Sequence, residues 1–442
     1  VPEVIKEYQQ YLEQLVAIPS ISTDSKYASE LDCAVKFFVD LFQHNNFVTE
    51  TYSGPDSNPV VFAQYIQDPQ LKTILIYGHY DVQPAEMSQG WVDNPFILRK
   101  EENKFVARGV VDNKGQILIH IVSVLQHIRD NTLGYNVKFL IEGNEETGNP
   151  DLGNLIAKHK EQLQCDTVLI SDGEILADYP VIESSLRGGM NVKLNICTAK
   201  HDVHSGIYGG AIPNAAQVAA NIVTQLYSET GIAFPKFYND VDETISEQIL
   251  SEVELFDYTT EILQHISVQK LLTEPGQDFF SQTGLRPTIQ ITGIKTGYTG
   301  EGYANIVPAS AEIRFNFRIV ASQKIENVLR DFKDFLQQII PDYAQYELSV
   351  SGMHEPIKID ITSDMHQKAA KILSTVYGKQ PLIKHVGGAI PFVADVTNIL
   401  GANVLLIPFA NDDCNMHGPE ENFKVDNISK ALEFSSKFFK VA

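Results

Sequence analysis

The sequence predicts an α/β protein: a mixed, largely parallel sheet sandwiched by helices, with a smaller α+β domain carrying an antiparallel sheet inserted into it. Three observations lead there. Near both ends of the chain, short continuous apolar runs alternate with helical stretches, as strands buried on both faces do. Between them, strands switch to strict apolar/polar alternation, which suits a sheet with one solvated face. The 442 residues suggest two or three domains at about 150 residues each, yet no long Pro/Gly/Ser linker separates them.

In order along the chain, Val4, Ile5, Tyr8, Leu12, Leu15 and Val16 fall at helical spacing, as do Leu31, Val35, Phe38, Val39 and Phe42. The runs VVFAQYI, KTILIYG, NVKFLIEG and DTVLIS read as strands, the later ones separated by helices near 114–130 and 151–164. The pattern changes near Ser184. In AEIRFNFRIV, Ile313, Phe315, Phe317 and Ile319 share one face and Arg314, Asn316 and Arg318 the other. Helices near 213–228 and 323–340, the second stopped by Pro341, would cover the apolar face. After YELSVSG the first pattern returns, with a helix near 362–377, the run NVLLIPF and a last helix near 426–439. The expected domains are 1–186 with 354–442, and 187–353.

Composition narrows the function. Apolar residues make up 43% and charged residues 20%, an ordinary globular balance. Lys+Arg is 34 against Asp+Glu 56, a net charge of −22, and such a surface repels phosphate. Nucleic acid and anionic membrane are therefore not expected as partners, and no apolar run reaches the roughly 18 residues of a membrane helix. Cys33, Cys165, Cys197 and Cys414 are far apart and form no CxxC, so neither a disulfide framework nor a zinc knuckle is expected. A reducing compartment, the cytoplasm, follows. The stretch VPEVIKEYQQYLEQL is acidic and amphipathic, unlike a signal peptide, although a start at Val1 without Met leaves a removed leader open.

The residues that could carry chemistry stand at strand ends, where sites form in α/β sheets. His79 and Asp81, in GHYDVQP, are two apart and point to the same side of a strand. Asp112 lies in ARGVVDNKG, a glycine-flanked turn before a helix. Glu145 and Glu146 follow KFLIEGN, Asp172 lies in VLISDGE, and His417 lies in NDDCNMHGP. Singly, each aspartate reads as a turn former or helix cap. Together, histidine and carboxylate without cysteine point to hard or borderline divalent metals, with enough ligands for two ions about 3.5–4 Å apart. His120, His127, His159, His201, His265, His366 and His385 lack such support and read as structural. Trp91 and Phe96, in GWVDNPF, either line a pocket or pack.

GHYDVQP, ARGVVDNKG, EGNEETG, SDGE, KHDVHSGIYGG, GGAIP and NMHGPEE occur in the order of one family. Over about residues 5–440 the chain resembles the M20 metallopeptidases, and HSGIYGG is similar to the carnosinase-like branch that includes cytosolic non-specific dipeptidases. The resemblance implies a zinc-peptidase type of catalytic domain with an inserted dimerisation and lid domain. It implies two divalent ions, zinc by analogy, with manganese and cobalt left open by the ligand set. His79 and Asp172 would bind one, Glu146 and His417 the other, and Asp112 would bridge both. Glu145 would be the general base acting on a bridging water, and Asp81 would orient His79. His204 would reach across a homodimer to the oxyanion. Arg318 would clamp the substrate carboxylate, with Asn305 and the amides of Gly387 and Gly388 as further contacts.

The chain departs from the family pattern at Ala389, where relatives commonly carry serine, and at Asn144 within EGNEE; His354 is a weaker candidate for substrate contact. The implied reaction is hydrolysis of a dipeptide or short peptide at a free terminus. Two alternatives stand beside it: an N-acyl amino acid amidohydrolase using the same site, and an inactive scaffold.

Overall fold

The N-terminal apolar stripe forms helix α1 (Pro2–Val16), and α2 (Ala28–His44) follows. Tyr8, Leu12, Leu15, Val16, Phe38 and Phe42 are completely buried. Each such side chain contributes about 1.5–3 kcal/mol by leaving water. The computed structural model describes residues 2–176, 178–228, 231–242, 267–388 and 390–441, so His265 and Ala389 lie outside the described residues. The chain divides into two units: Val1–Ser184 with Ile359–Lys384 and Ile390–Ala442, and Ser185–Lys358 with His385–Ala389.

The first unit continues with β1 (Val48–Tyr52), β2 (Val60–Tyr65), β3 (Thr73–His79), α3 (Lys114–Arg129), β4 (Asn136–Glu142), α4 (Leu152–Lys158), β5 (Thr167–Ile170) and β6 (Val181–Leu186). The helix expected over 151–164 is interrupted at His159, whose ring stacks on Tyr52 at 3.8 Å; a separate turn, Lys160–Leu163, follows.

The second unit opens with β7 (Gly188–Cys197) and α5 (Ala215–Leu226), then β8 (Thr288–Thr296), β9 (Ser310–Ile319), α6 (Ile325–Ile339) and β10 (Gln345–His354). Its sheet runs β8-β9-β7-β10, antiparallel throughout. Along β9 burial alternates as the sequence predicts: Ile313, Phe315, Phe317 and Ile319 are buried, while Arg314 is exposed and Arg318 half-buried. The apolar face packs on Val218 and Ile222 of α5 and on Val328, Phe332 and Leu336 of α6. Phe332 meets Phe317 edge-on at 4.9 Å.

The chain then returns to the first unit with α7 (Asp364–Tyr377), α8 (Pro391–Leu400), β11 (Asn403–Leu406) and α9 (Val425–Phe439). The main sheet has the order β1-β2-β4-β3-β5-β11-β6. β3 pairs in parallel with β4 and β5, and β11 with β5; β1, β2 and β6 join antiparallel. From Ile74 to His79 every residue of β3 is buried, as a strand covered on both faces requires. Because β3, β4, β5 and β11 run the same way, their carboxyl ends gather at one edge of the sheet.

Candidate active site

That edge collects the sequence-predicted ligands. His79 ends β3, Glu145 and Glu146 follow β4, Asp172 follows β5, and His417 stands in the loop after β11. Asp112 enters from the turn before α3. Gly115 makes this turn possible, because a Cβ there would lie 1.8 Å from the Val110 carbonyl oxygen.

Two triads result. His79, Asp112 and Asp172 bring one ligand atom each within 4.8 Å of one another, and so do Asp112, Glu146 and His417. Asp112 belongs to both. Its Oδ1 lies 2.9 Å from His79 Nε2 and its Oδ2 lies 2.8 Å from His417 Nε2. His79 Nε2 is 3.6 Å from Asp172 Oδ2, and His417 Nε2 is 3.2 Å from Glu146 Oε2. His79 is wholly buried, and its Nε2 makes no well-directed hydrogen bond despite facing these carboxylates. A buried polar atom costs free energy unless something accepts it. The donor set, nitrogen and oxygen only, fits two divalent cations, and zinc, manganese and cobalt are all compatible with it.

Asp81 does more than face the His79 ring. Its Oδ1 is 3.3 Å from Nδ1, and the ring nitrogen is 3.0 Å from its carbonyl oxygen. The same carboxylate accepts the backbone amides of Glu145 at 3.2 Å and Glu146 at 3.1 Å, and the Ser22 hydroxyl at 2.7 Å. One buried aspartate thus fixes an imidazole and the turn that presents both glutamates.

The two glutamates differ. Glu146 is tied down: Gln83 Nε2 donates to its Oε2 at 2.7 Å, beside His417. Glu145 has no such tether among the described residues. Burial drives its carboxyl pKa well above the ordinary range, and the negative charges of Asp172, Asp112 and Glu146 add to this. Burial also raises Asp172. For His79, burial opposes the charged ring, but Asp112, Asp172 and Asp81 outweigh it and hold its pKa well above the imidazole value. Asp112 and Glu146 push His417 up to about 10. The carboxylates that draw protons toward these imidazoles would draw a cation to the same atoms, so proton and metal compete there.

The other predicted residues lie in the second unit, in two groups. His204 and Asn305 are exposed neighbours: the Ser205 amide donates to the Asn305 carbonyl at 2.9 Å, and His204 pairs with Ile306 across a short antiparallel ladder. His204 Nδ1 accepts from the Gly206 amide at 3.0 Å, so the neutral ring carries its proton on Nε2. The second group gathers around Gly189, which stands opposite Arg318 on one side and His354 on the other. A Cβ on Gly189 would lie 3.2 Å from the His354 ring. Arg318 has no ion-pair partner among the described residues. Arg187 lies near it: Nε donates to the Gly387 carbonyl at 3.0 Å, and its own amide donates to the Gly388 carbonyl at 3.2 Å. Burial, helped by the Arg318 charge, lowers Arg187 to about 10.

Several residues escaped sequence reasoning. Gln83, Arg108 and Glu421 all sit inside quoted motifs, but nothing in their spacing disclosed a partner. Arg187 precedes the second sheet and carried no motif signal. Conversely, His120 is buried between the hydroxyls of Ser435 and Ser171, and Trp91 and Phe96 pack with Ala85 and Val106.

The profile of Peptidase family M20/M25/M40 matches residues 75–440. The Cys-Gly metallodipeptidase of Schizosaccharomyces pombe is 29% identical, the match covering 97% of this chain and 94% of that protein. Human carnosine dipeptidase 1 superposes with a TM-score of 0.84 at 25% identity, covering 98% of this chain and 95% of that one. The M20 family metallo-carboxypeptidase Sso-CP2 of Sulfolobus solfataricus reaches a TM-score of 0.87 at 26% identity, covering 98% and 99%. Among the described residues no helix is long and apolar enough to cross a membrane.

Proposed function

The chain belongs to peptidase family M20/M25/M40, and on that footing we propose that it is a two-metal dipeptidase. The observation that carries the reading is the pair of triads sharing Asp112, with an untethered Glu145 beside them. His79 and Asp172 would hold one ion, Glu146 and His417 the other, and Asp112 both. Bound there, the ions supply Lewis acidity toward the scissile carbonyl and lower the pKa of water.

The remaining chemistry belongs to the chain. Glu145 takes the proton of the attacking water and returns it to the leaving amine nitrogen. Its high proton affinity suits it to carry that proton, and Glu146, tethered by Gln83, cannot serve as readily. Asp81 keeps the His79 ring and both glutamates in place. Arg318 receives the substrate carboxylate; a half-buried guanidinium without an acidic partner among the described residues is suited to a planar anion, which it can grip with two parallel hydrogen bonds. The amides of Gly387 and Gly388 and the side chain of Asn305 add polar contacts. His204 presents an Nε2–H donor from an exposed loop and stabilises the oxyanion in the partner subunit of a homodimer. The exposed Ile207 and Tyr208 beside it are the kind of surface such an interface covers. Four free cysteines suit a reducing compartment such as the cytoplasm.

The test is a substrate panel. Protein stripped of metal and reloaded with zinc or manganese is assayed on dipeptides, N-acetyl amino acids and N-succinyl amino acids. Metal-dependent cleavage of dipeptides is expected. Cleavage of acyl-amino acids alone would move the reading to an amidohydrolase, and no cleavage with no metal bound would favour a scaffold.

A further inference from the structure

Beside the ligand cluster lies a buried ion pair that offers no atom to either triad. Glu421 is fully buried, and its carboxylate accepts four N–H donors. These are Arg108 Nη1 at 2.7 Å and the amides of Gly109 at 3.0 Å, Val111 at 2.9 Å and Asp112 at 3.2 Å. Arg108 is buried with it, under the Trp91 ring at 5.5 Å. Its Nη2 donates to the carbonyls of His417 at 3.0 Å and Gly418 at 3.3 Å. Burying both charges is costly, and breaking such a pair leaves an uncompensated ion. Here the hydrogen bonds that offset the cost go to the backbones of the two loops that carry Asp112 and His417. The second loop needs holding: Asn415, His417 and Glu420 all take positive φ, which side-chain-bearing residues seldom adopt.

We propose that Glu421 and Arg108 are positioning residues for the metal centre, and that they act on different positions. Glu421 grips the amide of Asp112, the ligand common to both triads, and so governs both metal positions. Arg108 holds the carbonyl of His417, a ligand in one triad alone, and so governs that position. The inference rests on the two-metal reading above.

The experiment titrates metal-stripped, full-length protein with zinc against a chromophoric chelator, for the parent, Arg108→Lys and Glu421→Gln, with thermal unfolding of each metal-free form. Lysine keeps the charge near Glu421 but cannot fork onto two loops. Glutamine keeps the shape but turns donors toward donors. Arg108→Lys should retain one tight zinc and bind the other at least about tenfold more weakly; Glu421→Gln should weaken both by about 10–100-fold. A general loss of stability would lower the unfolding temperature without separating the two positions. Parental affinity at both positions in both variants overturns the proposal, and equal weakening at both positions in Arg108→Lys overturns the division between the residues. If Glu421→Gln does not fold, the Arg108→Lys titration decides. The parent titration separately tests the two-metal reading, which fails if the parent binds fewer than two zinc ions.

Discussion

In the first unit His79 and Asp81 are fully buried and Asp112 nearly so; in the second, His204 and Asn305 stand in solvent and Arg318 is half-covered. Burying ionisable groups costs several kcal/mol each unless they are paired, so a buried cluster of histidines and carboxylates is itself a statement about what it holds. An exposed histidine costs nothing and says little alone. What the first unit can hold is therefore set by electrostatics within one body, while what His204 can do depends on what would cover it.

The contrast breaks most sharply at Glu145. Glu145→Gln should lower turnover by about 10²–10⁴-fold while zinc stoichiometry and unfolding temperature stay at parental values. More than a tenth of parental activity would remove Glu145 from the role of base. His204→Asn should cost about 10²–10³-fold in kcat, again with both metals retained. Mixing this variant with Glu145→Gln sharpens the comparison: if the chain pairs as the proposed homodimer with His204 reaching across, a mixed dimer contains one complete site. Recovery of activity is expected after subunit exchange; a mixture as inactive as its components would put His204 back in its own subunit or out of the reaction. The smallest effect is at Arg318. Arg318→Lys keeps the charge and loses the fork, and should raise KM for dipeptides about tenfold, equivalent to about 1.4 kcal/mol, with kcat little changed. Unchanged KM would return Arg318 to a packing role.

How much of this was legible beforehand differs between the same two regions. The parallel strands announce themselves as continuous apolar runs, and a histidine or aspartate just past each run has few places to go but the sheet edge. The alternation in AEIRFNFRIV likewise predicted which face of β9 is buried. The helix break at His159 was not legible, because a ring stacked on Tyr52 leaves no periodic signature. Nor was the pairing of Arg108 with Glu421, which are 313 residues apart in the chain. Motif spacing reports local geometry, and a bond across that separation is decided by the topology of the whole sheet. Gln83 shows the same limit at shorter range: its place in GHYDVQP is evident, but its grip on Glu146 depends on β3 and β4 lying side by side.

The order in which the ligands occur along the chain bears on biosynthesis. His79, Asp112 and Asp172 all precede the second unit, whereas His417 follows it. A nascent polypeptide thus exposes every residue of one triad long before the other's last ligand is made, yet the first unit itself is completed only by the segments that follow the second. A chain truncated within the second unit would carry the side chains of one triad, and Asp112 with Glu146 of the other, but would lack His417, the Glu421 carboxylate that holds the Asp112 amide, and β11 of the main sheet. On the two-metal reading, neither position is complete until the last segment, with His417 and the Glu421 carboxylate that holds the Asp112 amide, has been made.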